Sequence, residues 1–148
     1  MNNGQMHILL ADDDEDDRLF FREAFDEIKI NTKVETVNDG VELMDYLTRP
    51  DITLPHILFL DLNMPRKNGM DCLRELKRID YLKDIAVVIY STSASDVDIE
   101  ETFVQGANVY LKKPNDFNTL RKTLEAVITT NWQYQTSGLN RDNFILSL

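Results

Sequence analysis

Four short apolar runs, HILLA (7–11), ILFL (57–60), AVVIY (86–90) and NVYL (108–111), alternate with stretches of helical spacing, and this alternation most constrains the fold. Each run reads as a buried strand. A fifth run, KVETV (33–37), alternates apolar with polar residues and belongs nearer a sheet edge. Between the runs, Leu19, Phe20, Phe21, Ala24, Phe25 and Ile28 recur at helical spacing, and Val41, Leu43, Met44 and Leu47 follow the turn signal Asn38-Asp39-Gly40. Met70, Leu73, Leu76 and Ile79 form a third stripe, and Phe117, Leu120, Leu124 and Val127 a last one. The segment from Ser95 to Gln105 is a weaker helix with Val97, Ile99 and Phe103 apolar. Strand then helix, five times over, predicts an α/β class: a doubly wound, five-stranded parallel sheet with helices on both faces and right-handed crossovers. In such sheets ligands bind beyond the carboxyl ends of the strands, so chemistry is expected just after each run.

The 148 residues fit one domain able to bury a core without staples. Cys72 is the only cysteine, which excludes an internal disulfide and suits a reducing compartment. The N-terminus MNNGQMH lacks a signal-peptide pattern, and no apolar run is long enough to span a bilayer. A net charge of −10 disfavours nucleic acid or an anionic membrane as a partner. The expected location is cytoplasmic.

The first run ends in six consecutive acids, Asp12 to Asp17. Acids in a first helical turn complement the helix dipole, and one of Asp14 to Asp17 should cap the helix. Asp12 and Asp13 still belong to the strand tip, where a ligand role is equally open. The third run ends in Asp61, either a turn-initiating aspartate or a partner for Asp12 and Asp13 across the central strands. Two like charges ~4 Å apart repel by about 4 kcal/mol at an effective dielectric near 20, so such a cluster calls for a cation or a proton. Hard oxygen ligands with open positions suit Mg²⁺. After the fourth run comes STSAS (91–95), routine as a helix cap but also a source of hydroxyls. Lys112-Lys113-Pro114 follows the fifth; taken alone, its lysines read as solvated charge. Together these are the parts for a carboxylate attacking a phosphoryl group: nucleophile, metal site and donors.

With those residues in order, residues 5 to 130 or so resemble the receiver domains of two-component response regulators. The acidic pair is Asp12-Asp13; the pattern Asp-x-x-Met-Pro-x-x-x-Gly runs from Asp61 to Gly69; the hydroxyl position falls on Ser91 and the Lys-Pro signature on Lys113-Pro114. The resemblance implies a flavodoxin-like receiver fold over residues 1–130, with 131–148 as a C-terminal extension. It implies Asp61 as the phospho-acceptor, and a Mg²⁺ site of Asp12, Asp13, Asp61 and the backbone carbonyl of Asn63. Ser91 and Lys113 would hold phosphoryl oxygens, and Tyr110 would change rotamer on activation. The Lys113–Pro114 bond would be cis, and Gly69 would allow a positive φ if the turn needs one. Thr92 is an alternative hydroxyl to Ser91.

The chain then reads as a stand-alone response regulator, not an enzyme beyond its own phosphorylation and dephosphorylation. Its implied partner is a sensor histidine kinase or phosphotransfer protein. The segment RPDITLPHILFLDLNMP and the long tail look most like the single-domain regulators that partner bacterial phytochrome kinases. A constitutive interaction module with a degenerate site is the alternative, and the intact residue set speaks against it. A haloacid-dehalogenase-type phosphatase would want a second carboxylate where Asn63 stands, and flavin phosphate would be repelled by the acids after the first strand. His7 and His56 read as packing or solvent-facing residues. The tail NWQYQTSGLNRDNFILSL is too apolar for a disordered solubilising end and is expected to pack on a second copy of the chain, on a kinase or back on its own domain.

Overall fold

The computed structural model describes residues 4–129. The extension beyond residue 130, with its expected homodimer or docking contact, lies outside the described residues. Five strands, β1 (Met6–Ala11), β2 (Thr32–Val37), β3 (Ile57–Leu60), β4 (Ala86–Ser91) and β5 (Val109–Lys112), alternate with five helices, α1 (Glu15–Glu27), α2 (Gly40–Leu47), α3 (Gly69–Arg78), α4 (Asp96–Val104) and α5 (Phe117–Ile128). All strand pairs are parallel, in the order β2-β1-β3-β4-β5. KVETV lies in edge strand β2, as its alternation predicts, and the switch point falls between β1 and β3.

Each helix begins on a side chain that accepts a hydrogen bond from the third helical N–H: Asp14, Asp39, Asn68, Ser95 and Asp116. Such caps satisfy donors that the first turn leaves unpaired. Because strand side chains alternate between faces, the central strands feed two cores. Leu9, Leu58, Leu60, Val87 and Ile89 pack with Leu43, Leu47, Leu73, Leu76 and Ile99 under α2, α3 and α4. Ile8, Leu10, Phe59, Val88 and Tyr90 pack with Phe21, Phe25, Leu120, Leu124 and Val127 under α1 and α5. Phe21 anchors that second core, its ring 5.0 Å from Phe25 and 5.1 Å from Phe59.

Three residues assigned to apolar stripes face outward: Leu19, Phe20 and Val97 are more than half exposed. Leu19, Phe20 and Phe21 are consecutive, so their directions spread over ~200° of a helix with 3.6 residues per turn. Only Phe21 is buried. Among the described residues, no helix is long and apolar enough to cross a membrane.

Candidate functional site

The carboxyl ends of β1, β3 and β5 are extended by one hydrogen bond each, and these bonds fix the residues beyond them. The Asp12 N–H donates to the Val37 carbonyl at 3.1 Å, Asp61 N–H to the Ala11 carbonyl at 3.0 Å, and Lys113 N–H to the Ser91 carbonyl at 2.8 Å. Strand geometry therefore delivers Asp12, Asp61 and Lys113 to one edge. Arg18 Nη1 donates to the Asp12 carbonyl at 2.8 Å and further pins that strand tip.

Asp12, Asp13 and Asp61 each offer an oxygen, all within 4.8 Å of one another. Asp12 and Asp61 are buried and Asp13 is exposed, so the cluster opens to solvent on one side. Lys113 Nζ lies 2.8 Å from Asp12 Oδ2, 2.7 Å from Asp17 Oδ2 and 3.5 Å from Asp61 Oδ2. Asp12 Oδ2 is fully buried and, despite that ion pair, accepts no hydrogen bond of proper geometry. A buried carboxylate oxygen whose one close partner is an ammonium, in a triad of hard donors, fits a divalent cation.

The charges are strained accordingly. Burial pushes the Asp61 carboxyl up to about 6, with Lys113 opposing and Asp12 reinforcing the shift. Burial likewise raises Asp12, against the pull of Lys113. Burial disfavours the Lys113 ammonium, but the carboxylates of Asp12 and Asp17 outweigh it and hold the lysine above its ordinary range.

Asn63 is exposed beside the cluster, its N–H donating to Asp61 Oδ1 at 3.2 Å. Ser91 closes β4 and is fully buried, whereas Thr92 is exposed. The Ser91 hydroxyl accepts from the Ser93 N–H at 3.2 Å. Buried Tyr110 donates its hydroxyl to the Ser93 carbonyl at 2.7 Å, and Ser93 Oγ donates to Asp98 on α4 at 3.3 Å.

One expectation needs correction, and a second, conditional one is not called upon. The Lys113–Pro114 bond is trans, since no cis peptide occurs among the described residues; trans is the intrinsically favoured isomer even before proline. Gly69 does not have a positive φ. It is a close-approach residue: a Cβ there would stand 2.2 Å from the Asp61 carbonyl oxygen. The left-handed residue of this loop is Arg66, at φ 64. Its guanidinium holds the Asp39 carboxylate through Nε at 3.0 Å and Nη2 at 3.1 Å, tying the loop to the N-cap of α2.

Sequence reasoning missed Asp17, which it absorbed into the helix-dipole reading. Asp13 precedes the helix whereas Asp17 stands in its first turn, so no periodic signal tied Asp17 to the strand-tip carboxylates. His7 is buried and His56 exposed, one in each of the two expected roles: the His7 backbone N–H donates to His56 Nδ1 at 2.9 Å, and the His7 ring is 3.4 Å from the Tyr46 hydroxyl. Cys72 is buried with its thiol pushed up to about 12 by burial, which makes it unreactive.

A five-stranded parallel sheet of this order, with carboxylates past its central strands β1 and β3 and a lysine reaching them from past β5, defines the flavodoxin-like receiver class. Residues 8–125 match the response regulator receiver domain, and the chain belongs to that family. It is 32% identical over 123 residues to the probable methanogenesis regulatory protein FilR2 of Methanothrix harundinacea, covering 81% of this chain and 79% of that one. The response regulator Rcp1 of Synechocystis is 29% identical over 124 residues, covering 81% and 84%. A crystal structure of the Mn²⁺-bound form of response regulator Rcp1 superposes with a TM-score of 0.77 at 28% identity, covering 84% of this chain and 92% of that one. The phosphorylated cyanobacterial phytochrome response regulator RcpA superposes with a TM-score of 0.78 at 29% identity, covering 92% and 97%.

Proposed function

We propose that this chain is a phosphorylation-dependent signalling receiver that takes a phosphoryl group onto Asp61 and then changes a protein-binding surface. The observation that supports this most is the buried Asp61 carboxylate beside Asp12, Asp13 and Lys113 at an edge open to solvent. An Asp61 oxygen would attack phosphorus while the bond to the donor breaks, the electron pair leaving with the donor's histidine nitrogen or acetate oxygen. Asp12, Asp13, Asp61 and the Asn63 carbonyl would hold Mg²⁺, whose charge offsets that of the incoming phosphoryl oxygens. Lys113 would supply an ammonium to one phosphoryl oxygen and Ser91 a hydroxyl to another.

The donor in the cell would be a sensor histidine kinase or a phosphotransfer protein. Likeness to the phytochrome response regulator RcpA favours a phytochrome-type kinase. A homodimer through the C-terminal extension is the accompanying proposal, tested by light scattering of the full chain and of a chain ended at Thr130; a monomer in both removes it.

The central test is intact-mass analysis after incubation with acetyl phosphate. One phosphoryl group should appear with Mg²⁺ present, and none in EDTA or in Asp61→Asn. A normal yield in EDTA, or on Asp61→Asn, overturns the reading.

A further inference from the structure

We infer that Asp17 is a positioning residue for Lys113: a second anchor that lets the ammonium release Asp12 to a divalent cation while staying beside Asp61. This rests on the function proposed above. Lys113 Nζ stands almost equidistant between two carboxylates, 2.7 Å from Asp17 Oδ2 and 2.8 Å from Asp12 Oδ2. The Asp12 oxygen in that contact is also the fully buried one that accepts no hydrogen bond, the oxygen best suited to the cation. An ammonium at that distance and a divalent ion ~2.0–2.1 Å from the same oxygen would crowd and repel each other. Lys113 must therefore withdraw from Asp12 when the cation enters.

Asp17 offers the place to withdraw to. It lies outside the triad of Asp12, Asp13 and Asp61 that could share an ion, so it does not compete for the metal. Its backbone is fixed in the first turn of α1 by the N-cap, the Asp17 N–H donating to Asp14 Oδ1 at 3.1 Å. The Lys113 side chain is only 9% exposed, so water is a poor substitute partner. Without Asp17, the ammonium would be left to Asp12 and Asp61, the ligands the cation needs. A purely structural Asp17, complementing the helix dipole, would change the stability of α1 and leave the metal alone.

The test is calorimetric titration of the full-length protein with Mg²⁺, for wild type, Asp17→Asn, Asp17→Ala, Lys113→Ala and the double variant Asp17→Asn/Lys113→Ala. Thermal melts verify folding, and Asp16→Asn controls for loss of a nearby charge. Asp17→Asn should weaken Mg²⁺ binding roughly three- to tenfold, as expected for a partly exposed charge-assisted pair, and Asp16→Asn by under about twofold. Lys113→Ala should bind Mg²⁺ more tightly than wild type, and adding Asp17→Asn to it should change affinity by under about twofold if the pair acts as a unit. Should Asp17→Asn melt early, Asp17→Ala carries the comparison; both melting early makes Asp17 structural and overturns the inference. Equal weakening with and without Lys113 reduces Asp17 to a remote charge, and unchanged affinity removes the anchor. A wild type that binds no Mg²⁺ overturns both inference and function. Thermodynamic coupling that holds while acetyl phosphate fails to label Asp61 would leave the anchor standing and remove the phosphorylation reading.

Discussion

Asp61 is the residue whose surroundings least suit its own charge. It is 5% exposed, and burial raises its carboxyl from the ordinary 3.8 to about 6. A carboxyl raised on folding favours the native state while it is protonated, below its unfolded value, and that contribution is lost as pH rises through about 6. The ionised native Asp61 is thus a net cost at neutral pH in metal-free protein, partly relieved by Lys113. Asp61→Asn removes the charge and keeps the shape. In EDTA at pH 8 it should be more stable than wild type by on the order of 2 kcal/mol. The advantage should shrink as pH falls from about 7 to about 4, which urea unfolding across that range will read. An advantage independent of pH would mean that the charge is not what strains the site.

The loop between β3 and α3 shows how an element holds such a residue in place. Gly69 N–H donates to the Leu62 carbonyl at 2.9 Å, closing the turn directly over the Asp61 backbone. Gly40 meets the same loop from the other side, a Cβ there falling 2.0 Å from the Lys67 carbonyl oxygen. Gly69→Ala should therefore cost about 3 kcal/mol, the upper end for forcing a methyl into packed space. Gly106→Ala has room but a φ of +96, and should cost about 1–2 kcal/mol through backbone strain alone. Chemical denaturation of both variants separates contact from conformation; equal losses would contradict the steric account of Gly69. The elements themselves were legible because five apolar runs carry their own pattern, and Asp61 announced itself by ending one of them. What stayed hidden depends on partners distant in sequence. Lys113 and Asp17 are 96 residues apart, and no local pattern joins them. Arg66 takes its left-handed φ in a loop tied to Asp39, 27 residues earlier. Among the consecutive Leu19, Phe20 and Phe21, periodicity could not say which turns inward; the packing of α1 on the sheet and α5 decides that.

At the scale of the whole molecule, the site sits where the two cores meet the least buried flank of the sheet, the β4–α4 side. Behind it, β1, β3 and β4 are buried along nearly their whole length. In front, Ser91, Ser93, Tyr110 and Asp98 form a hydrogen-bonded path from the end of β4 to α4, through the Ser91 hydroxyl, the Ser93 backbone and side chain, and the Tyr110 hydroxyl. Helix α4 is the lightly held element: only Ile99 and Thr102 are buried on it, while Val97 and Val104 are 64% and 67% exposed. A phosphoryl group that drew in the Ser91 hydroxyl would take it from the Ser93 N–H and disturb both bonds made by Ser93. Moving an equilibrium from about 99:1 to about 1:99 needs ~5.5 kcal/mol of preference for one state. Hydrogen bonds from Ser91 and Lys113 to a charged group, at ~1.5–3 kcal/mol each, are of that order. Beryllofluoride with Mg²⁺, as a stand-in for the phosphoryl group, should therefore shift the amide resonances of residues 91–95, of Tyr110 and of α4, while those of β1 and α5 away from the site stay in place. Ser91→Ala should shrink the α4 response several-fold. Spectra in which the Ser91 to Ser95 segment and Tyr110 do not respond to beryllofluoride would break the link between Asp61 and α4.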